Sequence, residues 1–427
     1  MTHRKETALE NLISDRRPIG DGVWFTSVTD AKFKINRISV NFVTLLSRDA
    51  AKNALLPRIL ARCTNKLNTM QALNKRLEGL YSASLNSSVR SEADYQVTEM
   101  SVSVLGDRYA LDGEPLLEEV TRILLDCIFD PFMVDGAFDK SAVETERQNL
   151  KDDNDAEIND KAQYAHEKAY EEAFRGEPAE IRSGGLNEDV DKVTMDDLLS
   201  AHKAMLENLR TEIICVGVGD FSGAENLFRE AFSRVKRSPA VLPGCILSQP
   251  KAVVSRIVEN MDVEQSKLVM FFKSPLRDRY ALMVMSALYG GTESSKLFTV
   301  VREQMSLCYY CYSRGGYTKG YLSAEAGVDS SNLEKAEAEC LNQLRAVAEG
   351  DFTDEEVNKV KLYLTNSIRS SCDSVGGISS RCFMDIIFPD IANSIEEMIE
   401  RVNAVTREEI TEAAASMKLD TVYTLTP

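Results

Sequence analysis

Apolar residues along this chain fall into two rhythms, and each rhythm occurs twice. Ile38, Val40 and Phe42 alternate with polar neighbours near the start, and Leu268, Met270 and Phe272 take the alternate positions of a second run. That is the period of two expected of strands. An apolar helical stretch follows each run, at 54–61 and at 280–288. Further strand signals lie at 100–104, 213–218, 309–312 and 322–327.

The second halves of these blocks also repeat. Val193-Thr194 opens an amphipathic helix, a short polar break and a β-branched strand, and Val405-Thr406 opens the same series. Upstream, Phe138-Asp139 begins a helix through Val143 and Leu150, and Phe352-Thr353 begins one through Val357, Val360, Leu364 and Ile368. Thr353 with Glu356, and Thr406 with Glu409, have capping-box spacing. The offsets are 214 (138 to 352) and 212 (193 to 405), so register is kept across several elements. The pattern predicts an α+β protein of two duplicated domains, each a mixed or antiparallel sheet covered by helices on one face. The stretch 234–250 carries three prolines and little periodicity. The expected division is a first domain over 1–236, a linker over 237–250 and a second domain over 251–427.

Composition narrows the class. The 427 residues are 44% hydrophobic, and 50 basic against 67 acidic residues give a net charge of −17, which argues against nucleic acid as a partner. The charged N-terminus lacks an apolar signal core, and the longest near-apolar stretch, 280–289, is too short to span a bilayer. The expectation is a cytoplasmic protein with no membrane partner. Nine cysteines scattered from Cys63 to Cys382 read as reduced, structural thiols.

In the second half GGTESSKLF at 290–298, Val301-Arg302-Glu303, Leu307-Cys308-Tyr309, and Ala326-Gly327-Val328-Asp329 followed by Asn332 together resemble the pitrilysin/insulinase family of zinc peptidases. In the first half LEGLYSA at 77–83 and DKAQYA at 160–165 are similar to a bacterial, YfmF-like branch that has lost peptidase activity and is associated by name with modification of elongation factor P. The resemblance runs from about residue 20 to the end. It implies the family's duplicated α+β halves.

The same resemblance exposes a defect. Active members carry H-x-x-E-H on the helix after the first strand, with two His ligands one helical turn apart and a distal Glu ligand. The equivalent window here is 57–61, PRILA, which offers no ligand: Pro57, Leu60 and Ala61 stand at the motif positions. The distal position falls near Asp153, with Glu146 seven residues earlier. The result does not hang on that alignment, because His3, His166 and His202 are 163 and 36 positions apart and no frame places two His four apart. No metal and no other cofactor is implied.

Other constellations are weak. Cys308-Tyr-Tyr-Cys311 has no second pair at zinc-ribbon spacing, and in a regular strand its two thiols face opposite sides. His166 beside Glu167 could form an acid–base pair, although an ordinary helix-face His is the plainer account. The 290–296 stretch lacks the Gly-Lys-[Ser/Thr] ending of a phosphate loop. Tyr309, Tyr310, Tyr312 and Tyr317 cluster without a basic field, which fits alternating strand burial.

Arg302 and Tyr309 match positions of a family Arg and Tyr that sit in the half opposite the zinc and help bind substrate. A fixed cation and a phenol donor would stabilise the oxyanion of a tetrahedral intermediate. The plain alternative pairs Arg302 with Glu303 and packs Tyr309 at a domain interface. The resemblance therefore implies a chain that is not catalytic on its own. It would be a zinc-less subunit supplying the Arg302/Tyr309 half to a zinc-bearing paralogue that hydrolyses peptides. The alternative is a non-peptidase binding or scaffold protein in a protein-modification pathway, pairing with itself as a homodimeric clamshell.

Overall fold

Among the described residues the chain forms thirteen strands, of which β3, β5, β8, β10, β11, β12 and β13 fall where the sequence pattern puts them: β1 (Arg16–Gly20), β2 (Val23–Thr29), β3 (Ile35–Leu45), β4 (Ser84–Glu92), β5 (Tyr95–Leu105), a small hairpin of β6 (Met133–Val134) and β7 (Ala137–Phe138), β8 (Arg210–Gly217), β9 (Ser255–Asn260), β10 (Ser266–Lys273), β11 (Cys308–Gly316), β12 (Tyr321–Val328) and β13 (Lys418–Thr426). The computed structural model describes residues 15–391 and 394–427. Two larger sheets result, ordered β1-β2-β8-β3-β5-β4 and β11-β12-β10-β13-β9.

The duplication is visible strand by strand. In the first sheet β2 runs parallel to β8, while β8, β3, β5 and β4 are successively antiparallel. In the second β9 runs parallel to β13, while β13, β10, β12 and β11 are antiparallel. Each sheet is therefore mixed, with its single parallel pairing at the corresponding place.

Local chemistry sets the helix ends. Thr194 caps the helix Met195–Glu207 in a capping box with Asp197, and Thr406 does the same with Glu409 at the helix Arg407–Ser416. Asp139 Oδ2 accepts the Ala142 N–H at 2.7 Å, starting the helix Lys140–Ala156. Thr353 and Glu356 exchange hydrogen bonds at the start of Asp354–Ser370.

The chain forms two compact units. Of the described residues, the first comprises 15–154, 181–243, 371–391 and 394–395, the second 155–180, 244–370 and 396–427. The main crossing, between Pro243 and Gly244, lies within the stretch read as a linker, yet neither unit is a contiguous half. Each sheet takes one helix from the other half of the sequence, and these two helices are themselves repeat mates, Lys161–Ala173 and Val375–Ile387.

The exchange explains why both faces of each sheet are covered, where one covered face was expected. In the first unit Ile38, Val40 and Phe42 pack among the helices of the main core. The intervening Ser39 faces the other way and meets Ser379 of Val375–Ile387, hydroxyl to hydroxyl at 2.9 Å. In the second, Val269 and Phe271 of β10 pack against Ala165, Ala169, Ala173 and Phe174. Alternation turns Leu268, Met270 and Phe272, all buried, to the opposite face. Alanines four apart let the helix Lys161–Ala173 lie close on the strands.

Candidate functional site

The helix Ala50–Leu60 follows β3 as expected and carries the degenerate window. Pro57 and Leu60 are buried and Ala61 half-buried, so the positions of two ligands and a base hold hydrocarbon. Asp153 lies on Lys140–Ala156, in reach of this helix, but Arg58 Nη2 occupies its Oδ2 at 2.6 Å. One turn on, Arg62 bonds Glu146, which Asn149 Nδ2 also reaches at 3.2 Å. Two guanidiniums four residues apart thus meet two carboxylates seven apart. Such a donor set does not fit zinc, which needs three or four converging N, S or O donors. Among the described residues no three His, Cys, Asp or Glu side chains are grouped to hold a metal ion.

The histidines are placed elsewhere. His3 lies outside the described residues. The His202 ring is 2.7 Å from the Ile128 carbonyl, and burial holds its pKa below the ordinary value. His166 does not pair with its neighbour Glu167, which accepts from Gln163 instead. Its Nδ1 lies 2.9 Å from Glu325 Oε1, a nearly buried carboxylate on β12. Tyr312 Oη donates to Glu325 Oε2 at 2.8 Å and Ser323 Oγ to Oε1 at 3.2 Å. Burial alone would raise the Glu325 carboxyl, but the bonds from His166 and Tyr312 and the charge of Arg314 hold it below the usual range. Glu325 escaped the sequence reading, although a lone acid inside an apolar strand was its signal.

Arg302 sits in a pocket of about 720 Å³ in the second unit, lined by Gly290, Gly291, Phe298, Tyr310, Cys311, Tyr312 and Tyr363 among others. The backbone widens from α to π geometry over Ala287–Gly291 and again over Leu297–Gln304. Gly290 permits the close approach of β11, since a Cβ there would stand 2.7 Å from the Ser313 nitrogen. Arg302 stacks on Phe298, 4.5 Å from the ring centroid. No carboxylate pairs with it among the described residues, Glu303 included.

Tyr309 is not brought to this pocket. A bulge between Cys308 and Tyr310 leaves Tyr309 unpaired with β12 and 55% exposed. Its hydroxyl donates to Asp329 Oδ1 at 3.1 Å, which raises the phenol's pKa. The phenols that do line the pocket belong to Tyr310 and Tyr312, stacked with centroids 5.7 Å apart, and to Tyr363 of the helix Asp354–Ser370. The same bulge corrects the reading of the two cysteines: Cys308 and Cys311 are both buried, on one side of β11.

Comparison with known proteins converges on one family. Residues 192–364 match the model of the peptidase M16 inactive domain. The probable inactive metalloprotease YmfF of Bacillus subtilis is 27% identical over 403 residues, covering 93% of this chain and 94% of that protein. The chain is thus similar to inactive, pitrilysin-like proteins of the M16 type. The branch expected as YfmF-like is spelled YmfF in that relative's name. A crystal structure of a conserved protein from Enterococcus faecalis V583 superposes with a TM-score of 0.89 at 25% identity, covering 97% of this chain and 99% of that one. A protease from Helicobacter pylori shares the fold, with a TM-score of 0.78 at 15% identity over 96% and 99% of the two chains. Inactivity on its own agrees with the donor set at 57–61. No helix among the described residues is long and apolar enough to cross a membrane.

Proposed function

We propose that this chain is the zinc-less subunit of a pitrilysin-type metallopeptidase, and that its second unit presents the Arg302 pocket to a peptide held at the zinc helix of a paralogous partner. The observation that carries this reading is an asymmetry of charge. Arg58 and Arg62 are consumed by carboxylates where a metal would sit, whereas Arg302, over Phe298 in an aromatic-walled pocket, has no carboxylate partner among the described residues. An unpaired guanidinium is a ready partner for a peptide carbonyl, a carboxylate or a developing oxyanion. Tyr309 would contribute at most from outside the pocket, since its hydroxyl is engaged by Asp329.

Co-expression with a zinc-bearing paralogue and gel filtration test the pairing. A stable complex with peptidase activity is expected, and Arg302→Ala should lower its kcat/KM about 100-fold, the usual cost of losing an oxyanion donor, without dissociating it. Tyr309→Phe should change turnover less than twofold, about the effect of a solvent-facing group. A chain that pairs only with itself and never with a zinc subunit would replace this reading with that of a binding or scaffold protein.

A further inference from the structure

The duplication leaves the second sheet one strand short. In the first unit β2 is covered by β1, which runs antiparallel to it, whereas its repeat mate β9 pairs with β13 and has no strand beyond it among the described residues. A strand bonded on one side leaves about half of its N–H and C=O groups facing outward. Folded proteins blunt such edges with proline, a bulge or a charge. β1 has Pro18 and a break of register beside it, and β11 has its bulge. β4 is unbroken, but its exposed residues are Ser84, Asn86, Ser88 and Ser91. β9 keeps an unbroken register over Ser255–Asn260 and leaves Val258 69% exposed.

The strand that covers β2 also brings charge. Arg16 of β1 lies over the Trp24 ring, 3.8 Å from its centroid, and bonds the fully buried Glu212 of β8 twice, at 2.8 and 3.1 Å. Glu212 is opposite Asn41, two residues from Ser39, so it lies on the face that the exchanged helix Val375–Ile387 covers. Glu259 of β9 lies on the same face of the second sheet, opposite Leu425, which packs against the exchanged helix Lys161–Ala173. Tyr164 Oη donates to Glu259 at 2.8 Å, and Tyr423 Oη donates to it as well. No cation pairs with Glu259 among the described residues, and its chain neighbours Lys251 and Arg256 bond Glu172 and Glu337 instead. A half-buried carboxylate that holds two phenols and lacks a counter-charge leaves room for one charge-assisted bond.

We propose that β9 is a docking edge for an added antiparallel strand from another protein, an extended segment with an Arg or Lys that reaches Glu259. The added strand takes the place that β1 holds on β2. Its backbone supplies the outward-facing groups of β9 with partners, which gives affinity, and its alternate side chains meet Val258 on one face and Glu259 on the other, which gives selectivity. The net charge of −17 favours approach of a basic segment over an acidic one. β9, β13 and the helix Lys161–Ala173 all belong to the second unit, so the edge is complete within it. The docking edge stands whether or not the chain pairs with a zinc subunit.

The test uses the full-length chain and two end-blocked, fluorescent peptides, Thr-Arg-Val-Arg-Val-Thr and the same sequence with Glu in place of both Arg. Fluorescence anisotropy should show the arginine peptide binding at least about tenfold more tightly than the glutamate one. Hydrogen exchange should show new protection at 255–260 and none at 84–92 or 308–316. Glu259→Gln should weaken the arginine peptide about tenfold and leave the glutamate peptide no weaker. Val258→Lys, at an exposed position, should keep the melting temperature and weaken the arginine peptide by a similar factor. Failure of the arginine peptide to bind, equal affinity for the two peptides, protection on β4 or β11 instead of β9, or indifference to both variants overturns the proposal. So does sedimentation showing that the chain alone dimerises with 255–260 already protected, because the occupant is then a second copy.

Discussion

Replacing Arg62 and Arg58 one at a time by methionine separates the two contacts that bridge the degenerate helix to its acidic neighbour. Methionine keeps most of the apolar stem and removes the charge. Glu146 is 9% exposed, and without Arg62 its carboxylate retains, among the described residues, only the Asn149 amide at 3.2 Å. Leaving a nearly buried charged acceptor short of a partner costs about 2 kcal/mol. Asp153, by contrast, has a side chain 65% exposed, so water replaces Arg58 and the loss is about 0.5 kcal/mol. For a unit of this size, about 2–4 °C of melting temperature accompanies each kcal/mol, so Arg62→Met should lower Tm by about 4–8 °C and Arg58→Met by about 1–2 °C. Scanning calorimetry reads both. Added salt should erase the Arg58 effect and spare most of that at Arg62. A double variant Arg62→Met with Glu146→Gln should lose less than the sum of its parts, because the orphaned charge is gone. Equal, small shifts for the two single variants would refute the idea that a buried carboxylate anchors this helix pair.

Three further outcomes follow from the same geometry. Glu325 has a carboxyl held below the unfolded value of 4.5, so its contribution is fully present above that value and is lost as pH falls through the folded pKa; urea midpoints at pH 7 and pH 4 should therefore differ less in Glu325→Gln than in the unmodified chain. Lys273, 1% exposed, donates to the Ala173 carbonyl at 2.5 Å and lies 3.5 Å from the buried Asp420, so Lys273→Met should cost about 3–5 kcal/mol in urea unfolding, partly restored by adding Asp420→Asn. Metal analysis of the purified chain should find substoichiometric zinc, and one tightly held zinc per chain would contradict the mismatch at 57–61.

The strands and the duplication were legible because both rest on local periodicity: β3 and β10 alternate, and paired helices open on Thr-x-x-acid boxes 212 residues apart. The lost zinc site was legible because three histidines cannot be rearranged into a motif. The helix exchange was not. Which sheet the helix Lys161–Ala173 covers is decided by tertiary packing of Ala165, Ala169 and Ala173 on β10 and β13, and its hydrophobic stripe reads the same on either sheet. The bulge in β11 was equally silent, since one inserted residue between Cys308 and Tyr310 needs no glycine or proline to mark it. That single residue separated Tyr309 from Arg302 and brought Cys308 beside Cys311.

The arginine pairs also account for how such a chain can keep the fold of a metallopeptidase after losing its chemistry. Glu146 and Asp153 remain acidic on a helix that faces Ala50–Leu60, and two like charges left without counterions would repel and resist burial. Arg58 and Arg62 together supply two positive charges, the same formal charge as a zinc ion, through bonds made to both carboxylates. Electrostatic neutrality of the helix pair is therefore retained. Function is not, because a guanidinium stays protonated across the physiological range, has no open coordination position and cannot lower the pKa of a bound water as a metal does. The helix pair is thus stable and inert by the same substitution. In the second unit, by contrast, no carboxylate among the described residues pairs with Arg302, which lies over Phe298 in the aromatic-walled pocket.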